Sequence, residues 1–328
     1  MQGTAIIIGN MIGGITGGGG AILPTFFILG DGTIDGDNII DESGKFLVSE
    51  LAPAPSPSPT PPFTGLLDTY PGAAAGYSLR SLSSTYTGFA VKVQDNVGGA
   101  TLDVGFNSNR ELDTAAIAAY GGVNDVFVET WYDQSGNGNN ATQATSANRP
   151  KIYDGTTGAV ITENGKPTME GNNAGWLKTS AFTNAQPTEY FVVTRVEATG
   201  NWQTFASIGT WSSPDNRQQL NVNNSNKLVV YAGANLVSST VTTTGQYLLN
   251  ITVNGSSSAF RSNGVVETTG NLGAGTGTGS DLHIMTYMRS LTSQLWRGNM
   301  QELVLFPSGQ SSNRTGIETN INNFYSIY

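Results

Sequence analysis

From Ala90 to Phe306 the chain is a succession of short apolar–polar alternations, each closed by glycine, asparagine or serine. This pattern constrains the fold most. Alternation with a period of two sends one side chain to a core and the next to water only on an extended strand. The segments Ala90–Val93, Val126–Tyr132, Tyr190–Val196, Gln203–Ile208, Lys227–Tyr231, Gln246–Val253, Ser258–Arg261, Leu282–Tyr287 and Asn299–Phe306 carry it. Asn254-Gly255 and Asn263-Gly264 suit two-residue hairpins, so Tyr247 to Val266 reads as an antiparallel meander. Two helices punctuate the strands. Asp113 caps Thr114–Tyr120 with Gly121 as a left-handed stop, and Ile317, Ile321, Phe324 and Ile327 line one stripe of a helix over 313–328.

Composition points the same way. Glycine supplies 42 of 328 residues, and charged residues are only 12%, against about 25% in an average domain. Helices want alanine, leucine, glutamate and lysine, whereas this mixture suits strands and tight turns. No repeat of solenoid or propeller length is present. The expected fold is all-β: an antiparallel sandwich over 63–328 with a short internal helix and a C-terminal helix.

Two segments precede the sandwich. Residues 1–50 are a glycine-rich arm, expected to order against partner subunits. Gly17 to Gly20 and Pro24 interrupt its apolar runs, which argues against a membrane-spanning helix, and the lack of a basic start argues against a signal peptide. Its acidic stretch from Asp31 to Glu42 misses the spacing of a calcium-binding loop and reads as a solvated turn. Residues 51–62 are a proline-rich, semi-rigid linker.

Several chemistries are excluded. A net charge of −9 without a basic cluster argues against nucleic acid as a partner. With no cysteine there is no disulfide, thiolate metal site or cysteine nucleophile. The single histidine, His283, rules out sites needing two, and no Gly-x-Ser-x-Gly elbow accompanies it.

The segment from Gly76 to Pro150 contains Trp131, Tyr132, Asp133, Gln134, Ser135, Gly136, Asn137, Gly138 and Asn139, preceded by Gly76 to Arg80 and Leu82 to Gly88. Physically this is a tight polar loop closing an apolar strand. Gly136 and Gly138 permit positive φ, and Asp133 and Ser135 are placed to bond nearby amides. The loop reads as scaffold first and ligand contact second. The pattern resembles the concanavalin A-like (laminin-G-like) jelly-roll domain of the arabinofuranosidase B catalytic domain and of bacteriophage fibre, spike and decoration proteins. The resemblance covers about residues 70–328. It implies a lectin-like β-sandwich, often accompanied by calcium, for which no residue is assigned here.

For the arabinofuranosidases the resemblance implies a glutamate nucleophile following the Phe205–Gly209 region and an aspartate acid preceding the Trp296–Gly298 region. Here Thr210 to Ser213 and Tyr287 to Leu291 carry no carboxylate, and Asp215 is only a loose fit. Glycosidases need two carboxylates facing each other across a cleft, so no catalytic residue is expected. Sugar binding needs only an exposed aromatic face and polar groups to orient the ring. Trp211 sits in a polar loop and is the foremost candidate, with Trp202 second. Asn216, Arg217, Asn221 and Asn223 are the nearby polar groups. The other reading of both tryptophans is a rim residue covering the sandwich end. Trp131, Trp176 and Trp296 lie in strand context and are expected in the core, and Glu302 is expected to point outward from its strand.

The expected whole is a virion surface protein of a bacteriophage. Its arm (residues 1–50) would engage other virion proteins, and its head would bind host-surface glycan. A homo-oligomer is expected, with a trimer as its order. The alternatives are a glycoside hydrolase of arabinofuranosidase type and a purely structural capsid decoration protein.

Overall fold

The computed structural model describes residues 63–240, 242–288 and 294–328, together with a hairpin pairing Thr33–Asp35 with Asn38–Ile40. Within the acidic stretch these two three-residue strands pair antiparallel, Ile34 opposite Ile39. The rest of the arm and the proline-rich linker lie outside the described residues. Phe63–Tyr328 forms one compact unit.

That unit is an antiparallel β-sandwich whose two layers are hydrogen-bonded into one continuous sheet folded over on itself. The back layer places Thr188–Val196 between Gly245–Val253 and Asn299–Phe306. Ser258–Ser262 and Val265–Gly270 extend it on one side, and Ala75–Ser78 on the other. The front layer contains Leu102–Val104, Val91–Asp95, Val126–Trp131, Leu282–Ile284, Gln203–Gly209, Arg217–Val222 and Leu228–Tyr231. Short strands at Lys151–Asp154 and Met169–Glu170 join the layers along one side.

Two cores explain the strand sequences. The main core lies between the layers and holds Trp131, Trp176 and Trp296, as their strand context implies. A second lies on the outer face of the back layer, beneath helices α1 (Leu66–Thr69) and α3 (Arg314–Tyr325); α2 is Thr114–Gly121. Leu66, Ile317, Ile321 and Tyr325 pack there on Phe191, Val193, Val304 and Phe306. A strand covered on both faces reads as a nearly continuous apolar run, which is why Tyr190 to Val193 barely alternates. Phe324 and Ile327 pack against the same cluster while partly buried, and Tyr325 is buried beside them.

Glu302 lies on the outer face of its strand, as expected, but that face is not in solvent. It is fully buried under α3 against Arg80, because the outer face of its strand is itself a core. At Asn263-Gly264 both residues are left-handed (φ 50° and 76°) and turn the hairpin. Asn254-Gly255 instead leads into a 3₁₀ turn, Gly255–Ser257. The strand from Leu282 ends at Ile284, where Met285 adopts a φ of 66°. The Asp113 carboxylate caps α2 by accepting from the Ala116 amide at 3.0 Å, and the left-handed turn falls on Gly122 rather than Gly121. Arg217–Val222, polar enough to read as a loop, is a buried strand inside the front layer.

Candidate functional site

The outward face of the front layer carries a continuous cross-strand row. Asp103 pairs with Lys92, then Thr130, Thr142, Lys178, His283, Ser207, Gln219, Tyr231 and Asn235 follow in register. At about 4.8 Å per strand the row extends on the order of 40 Å. The alternate positions, among them Val91, Trp131, Leu177, Leu282, Ala206, Leu220 and Val230, are in the main core. Period-two geometry thus builds a long face of amides, hydroxyls and charges over an apolar floor.

Three candidate residues converge at one end of this face. Arg217 begins its strand opposite Gly209, and its guanidinium lies between two rings, 4.2 Å from Trp211 and 4.3 Å from Tyr231. Trp211 meets Tyr287 edge-on at 5.5 Å, so it is not without aromatic company, yet 39% of its surface stays open. Asn216 is held beside them, donating to the Thr278 carbonyl at 3.2 Å and accepting from the Thr276 hydroxyl at 3.0 Å. Gly209 makes this end possible. Its φ of +119° and the 2.1 Å that would separate an added Cβ from the Asn216 carbonyl leave no room for a side chain.

The other candidates are elsewhere. Trp202, 42% exposed, precedes Gln203 and stands at the opposite end of the strand that finishes at Gly209. Asn223 is at that far end too, its side-chain oxygen accepting from the Ser225 and Lys227 amides to close a turn. Asn221 is not a surface group. It is 3% exposed and accepts from the Thr204 hydroxyl at 2.8 Å.

At the middle of the row His283 lies between Lys178 and Ser207, and Lys178 pairs with Asp281 at 3.0 Å. Burial lowers the His283 pKa, partly opposed by Asp281. Ser207 and His283 are cross-strand neighbours, but the Ser207 hydroxyl donates to the Thr286 carbonyl and accepts from the Met288 amide, each at 3.1 Å. That hydroxyl is committed to backbone, and no Ser–His couple forms.

The motif loop is a staple. The Asp133 carboxylate accepts from the amides of Gly76, Ser135 and Asn139 and from the Ser135 hydroxyl. Gln134 accepts from Leu82 and donates to the carbonyls of Ser78 and Arg80, while Asn137 and Asn139 donate to Ala74. Gly136 and Gly138 have φ of 89° and 76°. Trp131 is buried, and the Tyr132 hydroxyl donates to Asp103 at 2.6 Å. These bonds tie Ala75–Ser78 to the end of Val126–Trp131, which accounts for the motif without a ligand.

Asp215 is exposed, and the acid-side positions fall partly within residues 289–293, outside the described residues. Among the described residues no group of three or more His, Asp or Glu side chains is placed to hold a metal, and no helix is long and apolar enough to cross a membrane.

No family model and no curated protein matches this chain. Solved structures do. An arabinofuranosidase complexed with arabinofuranosyl-α-1,2-xylobiose superposes with a TM-score of 0.60 at 16% identity, covering 76% of this chain. A GH54 α-L-arabinofuranosidase soaked with a cyclic sulfate inhibitor gives the same TM-score at 15% identity. The match spans 62% of those enzymes' length. At such identity the likeness establishes a shared fold.

Proposed function

We propose that this chain is a non-catalytic, lectin-like recognition module that binds a surface glycan through the Trp211 end of its polar face. The observation carrying this reading is the Arg217–Trp211–Tyr231 stack, an open indole set beside fixed polar groups at the end of a long polar strand row. Aromatic rings pack against the C–H faces of sugars while amides and hydroxyls set orientation. The shared fold with enzymes that handle arabinose-containing saccharides agrees with a saccharide ligand. The missing carboxylates after Gly209 favour binding over hydrolysis.

The glycine-rich arm, the proline-rich linker and the resemblance to phage fibre and decoration domains support a place on a bacteriophage virion. There, many copies would turn a weak single site into firm adsorption. The test is a binding assay of the labelled full-length protein on candidate host cells, before and after their surface polysaccharide is stripped. Binding lost on stripping is the expected result. Release of reducing ends from the polysaccharide would instead establish a hydrolase, and equal or absent binding in both states would leave a structural decoration protein.

A further inference from the structure

Three buried polar atoms on one face have no hydrogen-bond partner among the described residues: Arg217 Nε, Gln219 Nε2 and His283 Nδ1. Gln219 and His283 flank Ser207 on either side of the row, and Arg217 stands two residues before Gln219 on the same strand, hence on the same face. Native proteins pair nearly all buried polar groups, so a cluster of unpaired ones on one surface calls for an explanation.

Arg217 is the most informative of the three. It is 8% exposed and has no carboxylate partner among the described residues, unlike Arg80, Arg149, Arg195 and Arg314. Among the described residues its side chain makes one hydrogen bond, from Nη1 to the Trp211 carbonyl at 3.3 Å. The two rings fix the plane of the guanidinium; Nε is buried without an acceptor and no bond from Nη2 is found among the described residues, and these are the two parallel donors that a carboxylate matches. An arginine nitrogen only donates, so the missing group is an acceptor. In a chain of net charge −9, a local cation is also what an acidic polymer needs to overcome general repulsion.

We propose that Arg217 recognises the carboxylate of an acidic sugar, with the Gln219 amide as a second donor. This inference rests on the glycan-binding reading above and names the class of glycan. Trp211 covers the guanidinium, so its indole shifts as the carboxylate enters, and binding is visible in intrinsic fluorescence.

The experiment titrates the full-length protein with polygalacturonate, alginate, hyaluronate and polysialate fragments, each paired with its carboxyl-reduced form. The expected result is that at least one acidic fragment binds and weakens about tenfold or more on reduction, the scale of one charge-assisted hydrogen bond. Arg217→Gln abolishes the preference, and so does Arg217→Lys, whose ammonium cannot present the fork. Because reduction alters the ligand and not the protein, the comparison stands even if a variant folds poorly. Equal binding of acidic and reduced forms overturns the proposal and leaves glycan binding intact. Binding of neither form in any pair overturns both.

Discussion

Arg80 and Glu302 form a two-pronged ion pair beneath α3, with Nε to Oε2 at 2.8 Å and Nη2 to Oε1 at 3.0 Å. Ser78 donates to the same carboxylate at 2.7 Å, and Asn320 of α3 accepts from Arg80 Nη1 at 2.9 Å. The pair thus ties the strand Asn299–Phe306 to Ala75–Ser78 and to the covering helix. Removing one partner strands the other charge in the second core. Glu302→Ala is expected to lower stability by about 3–5 kcal/mol, measured by urea denaturation. The double variant Arg80→Met, Glu302→Leu recovers much of that loss, since a buried pair replaced by apolar groups is often close to neutral.

This pair also marks the limit of what the sequence reveals. The segments from Ala90 to Phe306 are legible as strands because their glycine and asparagine turns and alternation are local signals. Glu302 is not legible. Its outward direction is correctly inferred from Leu303, but α3, which converts that outside into a second core, docks from the far end of the chain. Arg217–Val222 is hidden for a related reason: Gln218 points inward, where it accepts from the Tyr190 hydroxyl at 2.6 Å, so apolar alternation begins only at Leu220 and is too short to mark the strand. Trp211 is legible from its polar loop. The clamp it forms with Tyr231 around Arg217 depends on the register of two strands and leaves no trace in either.

Gly209 sets the geometry of the candidate site. A left-handed φ costs a non-glycine residue about 1–2 kcal/mol, and at this position an added Cβ also meets backbone at 2.1 Å. Gly209→Ala is expected to destabilise by more than about 2 kcal/mol and to weaken ligand binding together with it. Thermal melts and the fluorescence titration are to be read on the same sample. Gly72→Ala is a useful control, because its φ of +91° carries the backbone strain with nothing within 4 Å.

His283 gives a pH signature of defined sign. Burial holds its folded pKa below the ordinary 6.5, so between that lowered value and 6.5 the unfolded chain binds more protons than the folded one. Stability therefore rises with pH through this window and falls on acidification. The raised carboxyls of Glu163, Glu170 and Glu318 contribute slopes of opposite sign beginning near their ordinary 4.5. The wild-type profile alone mixes the two. The difference between wild type and His283→Asn in urea denaturation from pH 4 to 7.5 isolates the histidine, and the variant is expected to lose the slope just below 6.5.

Trp211 and Trp202 are nearly equally exposed but stand at opposite ends of the strand Gln203–Gly209, which makes them a matched pair for locating the site. Trp211 contacts Arg217 and Tyr287, and truncating it removes the outer wall of the clamp without opening the main core. Trp211→Ala is expected to cost about 1 kcal/mol of stability or less and to reduce glycan binding by at least about tenfold. Trp202→Ala is expected to leave binding within about twofold. If both variants bind like wild type, the ligand uses neither end of the polar face. A loss confined to Trp202→Ala would move the site to the far end, beside the Asn223 turn, where Arg217 could take no part in it.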